Sequence, residues 1–291
     1  LALEADWSKP VDAQRIEDAL RQDPMHRIKA VCVVHNETST GVLSDIPSIR
    51  AAMDAVAHPA LLMIDTVSSL GCTPVEHDAW GVDVTVSGSQ KGLMLPPGLS
   101  FNAVSERALA AQAQAGLPRA YWRWDEILKA NELGSWPSTP ATNLLYGLAE
   151  ALDLLAEEGL ERVFARHRRH AAAARAAVEA WGLRTVCQEP TAHSPVVTAV
   201  ELAEADFFRE HALTHYNLSL GTGLSKLAGR VFRMGHLGDF NDLSLIGMLG
   251  GVEMSLHGTQ ARYQAGGVQA ALYSLSEASS ALASTLPSAA A

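Results

Sequence analysis

Between Asp12 and Leu20 the apolar residues Ile16, Ala19 and Leu20 fall at helical spacing, after which Ala30-Val31-Cys32-Val33-Val34 reads as a buried strand ending at His35-Asn36-Glu37. Asp45 is placed to cap a helix through Val56 with Pro47 in its first turn, and His58-Pro59 ends that helix before the strand Leu61-Leu62-Met63-Ile64. A short amphipathic segment, Val75 to Trp80, precedes a third strand, Asp83 to Ser87. The succession predicts β-α-β-α-β with helix-length connections. Short apolar strands joined by helical crossovers imply parallel strands buried on both faces, with right-handed crossovers. Their carboxyl ends then share one edge, which receives His35 to Gly41, Asp65-Thr66 and Ser87-Gly88-Ser89-Gln90-Lys91. Open α/β sheets bind ligands at that edge.

Beyond Phe101 the pattern lengthens into helices over Asn143 to Glu157 and Leu160 to Trp181, with Glu157-Glu158-Gly159 as the hinge between them. Strand Pro195 to Val200, helix Ala205 to Tyr216, strand Arg230 to Arg233 and helix Asp239 to Leu256 follow, and read as a smaller α/β domain. The division predicted is a large domain over 1–158 and a small one over 159–291. From Gly266 the tail is rich in Ala and Ser, with Leu272, Leu275 and Leu282 allowing a last amphipathic helix before a frayed end.

Composition narrows the class. The chain has 291 residues, 48% of them hydrophobic and 19% charged, which is globular rather than disordered. Size scaling predicts an exposed surface of roughly 12,000 Å² for such a chain. A net charge of −10 argues against a nucleic-acid clamp. Asp65, Asp83, Glu201 and Glu253 interrupt the most apolar stretches, so no membrane span is expected. Three cysteines, Cys32, Cys72 and Cys187, lie far apart; they fit a reducing compartment and give neither a disulfide framework nor a metal knuckle. No metal site is expected. With no secretory pattern after Leu1 and no targeting tripeptide at the Ala-Ala-Ala end, the expected address is the cytoplasm.

Among five lysines Lys91 stands apart, following a buried strand between small residues and preceding the apolar run Leu93-Met94-Leu95-Pro96-Pro97-Gly98. Partial desolvation of an amine is what Schiff-base chemistry needs, whereas phosphate binding or simple solvation is the plainer reading. Asp65 at a strand end is either a turn residue or, with Lys91 past the end of a following strand, the carboxylate that keeps a pyridine nitrogen protonated. That pair suits pyridoxal phosphate. Arg233, flanked by Val231-Phe232 and Met234-Gly235, is a surface strand arginine or a carboxylate clamp. His211 and His215 lack the Glu of the metalloprotease helix, and His167-Arg168-Arg169-His170 reads as a solvated basic helix face. Gly221 and Gly223 match a dinucleotide fingerprint in two letters only, and no Walker A lysine is present. Trp122, Trp124 and Trp136 form an aromatic stretch suited to packing or dimer contact.

Five ordered blocks, His35 to Gly41, Ile64 to Gly71, Ser87 to Gly92, Thr139 to Asn143 and Phe232 to Gly238, resemble the class V branch of the fold-type-I pyridoxal-phosphate aminotransferases, and within it the serine-glyoxylate aminotransferases. The resemblance covers nearly the whole chain. It implies an α/β fold with a mostly parallel large-domain sheet flanked by helices plus a smaller C-terminal α/β domain. It implies that Lys91 carries the cofactor's aldehyde and later moves a proton between Cα and C4′, and that Asp65 pairs with the pyridine nitrogen. Val67 would pack on the ring, Thr38 would hydrogen-bond near it, and Gln90 would contact the phosphate region. Thr139 would reach the phosphate in a neighbouring subunit, making the active unit a homodimer, and Arg233 would fork onto the substrate α-carboxylate. The family's further N-terminal portion, with a ring-stacking aromatic, a phosphate loop and one wall of the substrate pocket, precedes the first residue here; its absence would leave a sheet edge exposed. The reaction implied is ping-pong transfer of an amino group from L-serine or L-alanine to glyoxylate, giving glycine. The alternatives are a cysteine desulfurase or another lyase of the class, and a catalytically inert oligomerising relative.

Overall fold

The structure, a computed structural model, describes residues 1–285, with side chains described through residue 278. Asp12 caps α1 (Ala13–Arg21) by accepting from the Gln14 amide, and the helix buries Ile16 and Leu20. Then come β1 (Ala30–Val34), the short strands β2 (Asn36–Glu37) and β3 (Val42–Leu43), and α2 (Ile46–Ala55), capped by Asp45. After β4 (Leu61–Asp65), β5 (Val84–Gly88) and β6 (Ser100–Val104) the chain turns helical, with α3 (Glu106–Ala113), α4 (Trp124–Glu132), α5 (Thr142–Glu158) and α6 (Leu160–Ala180). It ends with β7 (Arg184–Thr185), β8 (Val197–Glu201), α7 (Ala205–Tyr216), β9 (Gly221–Thr222), β10 (Val231–Gly235), α8 (Asp242–Gly258) and α9 (Gly267–Thr285).

The first sheet has the order β1-β4-β5-β6. Its first three strands are parallel, in a register that aligns Val34 with Asp65 and Asp65 with Val86, so their carboxyl ends lie along one edge. β6 runs antiparallel to β5. The second sheet, β7-β8-β10-β9, is antiparallel throughout. Ile46, Ile49 and Met53 of α2 pack with Ile16, Leu62 and Ile64 on the first sheet. On the second, the alanines of α6 meet Trp181, Phe208, Phe232, Leu245 and Leu249. The Trp181 indole donates to Glu253, which also accepts from the Gly266 and Val268 amides and thus ties α6, α8 and the start of α9 together. A third cluster joins Leu93 to Leu155, Val163 and Phe164, seating the segment after Lys91 on α5 and α6.

Several expectations are corrected. The connection from β4 to β5 is a chain of turns rather than a helix: Pro74 removes an amide just before the segment, and Gly81 at φ +62° ends its single turn at Trp80. The hairpin β2–β3 and the edge strand β6 carry no continuous apolar run and were not expected as strands. His167 and His170 belong to the buried face of α6, alongside Val163, Ala171 and Ala174, while of the four residues 167–170 only Arg168 is exposed. The exposed surface is 16372 Å², well above the scaling expectation, and Leu117, Tyr121, Trp122, Leu133 and Tyr146 are among the large apolar side chains that project outward. Leu282 lies outside the residues whose side chains are described, and the expected frayed end lies outside the described residues. No helix among the described residues is long and apolar enough to cross a membrane.

Three interior histidines make stability depend on pH. Burial lowers His35 and His167 to about 4 and His236 to about 3, against an ordinary value of 6.5. Between those values and 6.5 the unfolded chain binds protons that the native chain does not, so stability is full above pH 6.5 and falls as pH drops toward 4. Urea denaturation at pH 7.5 and pH 5.0 is expected to differ by roughly 3–6 kcal/mol, before carboxylate protonation contributes. A flat profile across that window would show that these rings are not held neutral.

Candidate active site

Asp65 ends β4, and its Oδ1 accepts the Val67 amide at 2.8 Å, a local turn that fixes the carboxylate and leaves Oδ2 without a partner among the described residues. The turn continues through Thr66, whose hydroxyl donates to the Val86 carbonyl at 3.0 Å and whose own carbonyl accepts from Ser87 Oγ at 3.3 Å, so the ends of β4 and β5 are laced together. The backbone amide of His35, just after β1, donates to the Asp65 carbonyl, and its ring Nδ1 lies 3.0 Å from Ser69 Oγ. Trp80 meets the same ring edge-on.

Lys91 lies three residues past β5. Ser89, fully buried, donates its hydroxyl to the Pro96 carbonyl at 2.8 Å and accepts the Leu99 amide at 3.2 Å, which closes the loop that carries the lysine. Gly92 has no room for a side chain: a Cβ there would stand 2.1 Å from the Leu70 carbonyl oxygen and 2.6 Å from Cys72 Sγ. A Cβ on Gly238 would meet Met94 at 3.1 Å, so a third loop closes on the same turn. Lys91 itself is half-buried and forms no ion pair among the described residues. Gln90 is exposed and folds back over Gly88.

Arg233 comes from β10. Its Nε donates to the Thr222 carbonyl at 2.8 Å and its Nη1 to the Thr38 carbonyl at 3.0 Å, leaving Nη2 uncommitted. Burial pulls its pKa below the ordinary arginine value, with nearby Glu37 acting in the opposite sense; the group remains a cation. Gly221 provides the space, since a Cβ there would lie 3.0 Å from Arg233 Cβ and 3.2 Å from its Nε. That packing, and the 2.1 Å approach a Cβ on Gly223 would make to the Leu227 carbonyl, account for both glycines without a dinucleotide. Thr38 completes the join: its hydroxyl sits 2.6 Å from Ser68 Oγ while its carbonyl holds Arg233.

Hydrogen bonds therefore bring Thr38, the Asp65–Ser69 turn and Arg233 together, and strand adjacency sets Gln90 and Lys91 on the same edge. Val67 is half-buried in that turn. Thr139 is exposed and bonds to none of the others among the described residues. Sequence reasoning missed Asn36, buried at the start of β2 with neither amide atom partnered among the described residues, and Ser68 as the partner of Thr38. Asn36 carried a signal, being a polar residue two positions past an apolar strand. The cysteines are poorly placed for attack on a substrate: Cys32 sits on the edge strand β1, while burial pushes Cys72 up to about 11 and raises Cys187, which lies beyond β7 rather than in a strand.

The edge also fits pyridoxal phosphate. A carboxylate with one oxygen fixed and one free, an amine without a counter-charge, and the unpartnered Asn36 amide are groups that a protonated ring nitrogen, an aldehyde and a ring substituent can satisfy.

Comparison with known proteins shows the family and the fold. The sequence profile of the family described as aminotransferase class-V matches residues 2–226. A serine-glyoxylate aminotransferase of Methylorubrum extorquens is 51% identical over 261 residues, covering 87% of this chain and 65% of that protein. The corresponding Arabidopsis thaliana protein is 48% identical over 258 residues, covering 87% of this chain and 64% of its own length. The chain thus spans slightly less than two thirds of these curated relatives. The crystal structure of pyridoxamine-pyruvate aminotransferase from Mesorhizobium loti superposes with a TM-score of 0.86 at 31% identity, covering 94% of this chain and 71% of that one. The α/β architecture, with its mostly parallel sheet flanked by helices, is that of the fold-type-I pyridoxal-phosphate aminotransferases, and the chain belongs to the class-V aminotransferase family.

Proposed function

We propose that this chain carries the catalytic edge of a pyridoxal-phosphate-dependent aminotransferase that moves an amino group from L-serine, or L-alanine, to glyoxylate in two half-reactions. The observation that carries the reading is the meeting at one sheet edge of an uncompensated amine, Lys91, a half-free carboxylate, Asp65, and the Thr38-anchored guanidinium of Arg233. The names of the two relatives support serine as donor and glyoxylate as acceptor. The cofactor, when bound, supplies an aldehyde for an amine to condense with and a protonated ring that accepts electrons from Cα.

Each residue then has one task. Asp65, oriented by the Val67 amide, would hold a proton on the ring nitrogen through Oδ2. Lys91 would hold the cofactor through its amine and, when that amine is free, move a proton at the substrate Cα. Val67 would pack on the ring, Thr38 would hydrogen-bond beside it, and Gln90 would contact the phosphate region. Arg233 receives the substrate carboxylate on its uncommitted Nη2 side, and its local charge offsets the net −10 that would otherwise repel an anionic oxo acid. The exposed aromatic stretch around Tyr121, Trp122 and Tyr146, with Thr139 beside it, supports a homodimer in which Thr139 reaches the partner's phosphate. Three free cysteines support a cytoplasmic address. Two separate cores on either side of Gly159, at φ +82°, support a large cofactor-binding domain over 1–158 and a small one over 159–291.

In the full-length protein, a cofactor absorption band is expected to bleach with L-serine and return with glyoxylate, and borohydride should fix the cofactor on Lys91. Lys91→Ala is expected to lower turnover by more than about 1,000-fold; transamination retained in that variant would refute the reading. Replacing Arg233 by Lys keeps the charge but loses the fork, so KM for both substrates should rise about tenfold with a smaller change in kcat. An unchanged KM would remove Arg233 from the substrate site.

A further inference from the structure

Beneath the β2–β3 hairpin, where it rests on the second sheet, lies a small cavity that none of Thr38, Asp65, Lys91 and Arg233 lines. Its lining includes Arg175 of α6, Thr40, Ser194, Cys187, His193 and Thr198, and it has room for the centre of one water-sized particle, about 10 Å³. Arg175 has no carboxylate partner among the described residues, and burial pulls its pKa below the ordinary arginine value. Thr40 is 2% exposed and its hydroxyl has no partner among the described residues. Ser194 Oγ accepts the Val196 and Val197 amides, both at 3.2 Å, which leaves its own proton to donate.

The remaining polar groups are already committed. Thr198 Oγ1 pairs with His236 Nε2 at 2.9 Å, the Cys187 thiol donates to the Glu189 carbonyl, and the His193 ring nitrogens lie 3.2 Å from the Pro190 and Cys187 carbonyls. The nearby Glu189 carboxylate accepts from the Thr191 hydroxyl and does not line the cavity. Three donors, one of them a cation, thus line one small space without an anionic acceptor. A neutral water accepts two hydrogen bonds and carries no charge to set against the half-buried guanidinium. A spherical anion meets all three donors and the charge together.

The geometry points to a structural site for a small monovalent anion, chloride being the probe, held by Arg175, Thr40 and Ser194. The site sits where the hairpin joins the second sheet. There Ser194 donates its amide to the Gly41 carbonyl, Val42 bridges His193, and a Cβ on Gly41 would stand 3.0 Å from the Val197 carbonyl. Anion binding therefore stabilises the joint that carries Thr38, independently of the reaction at the sheet edge.

The test compares thermal unfolding of the full chain in sodium chloride and sodium gluconate at equal ionic strength, and locates bromide by anomalous scattering in crystals soaked with sodium bromide. Chloride at tenfold over its dissociation constant is expected to raise Tm by roughly 3–6 °C relative to gluconate, and an anomalous peak should lie between Arg175 and Thr40. Arg175→Met should abolish the chloride-specific rise, and the milder Thr40→Val should reduce it. Equal Tm in the two salts, an identical chloride response in wild type and Thr40→Val, or no bromide peak at Arg175 would each overturn the proposal.

Discussion

The sheet edge that bears Asp65 and Lys91 depends on one close approach of backbone to backbone. Gly92 lies so near the Leu70 carbonyl and Cys72 that any side chain there would occupy the same space. Because Gly92 follows Lys91 directly, that contact fixes the lysine relative to the turn that begins at Asp65. The acid and the amine reach the same edge through adjacent parallel strands, but their fine placement is set by two loops pressed together without side chains between them. Ser89 secures one of those loops internally and Thr66 the other, each by hydrogen bonds at strand ends.

A second layer supports the first from below. Arg166 is fixed bidentately by Glu158 and donates from Nη1 to the carbonyls of Gly238 and Phe240, at 2.9 and 3.0 Å. His167, one residue on, accepts the Gly238 amide at Nε2 while its Nδ1 faces the Val163 carbonyl, an arrangement that requires a neutral ring with its proton on Nδ1. The loop after β10, which touches Met94 through Gly238, is therefore clamped by the first turns of α6. The half-buried ion pair and the neutral histidine act on the same glycine.

Much of this was readable in advance where the determinants are local. Asp12 and Asp45 announce their helices by capping, and β1, β4 and β5 announce themselves as apolar runs of strand length. Their parallel order then places Asp65 and Lys91 on one edge without further information. What escaped was set by partners distant in sequence. β6 is defined by its hydrogen bonds to β5 rather than by an apolar pattern, and Asn36–Glu37 becomes a strand only through Val42–Leu43. His167 and His170 were masked by their charged neighbours, although their spacing with Val163, Ala171 and Ala174 traces a single buried helical face. The role of Thr38 was legible as a turn hydroxyl; that its carbonyl anchors an arginine was not.

That last bond spans 195 residues of sequence, from Arg233 to Thr38. A contact of such separation gains nothing until the chain between its ends has been ordered, because the entropy of closing the intervening loop is borne first. The guanidinium consequently reaches its working position only when β10 has paired within the second sheet and the hairpin of the first half has docked on it. During synthesis from the N-terminus, the strand ends bearing Asp65 and Lys91 emerge well before Arg233 does. The Arg233–Thr38 joint, which carries the proposed carboxylate clamp, is thus among the last features of the fold to assemble, and a partly folded chain that already presents its lysine does so without that guanidinium beside it.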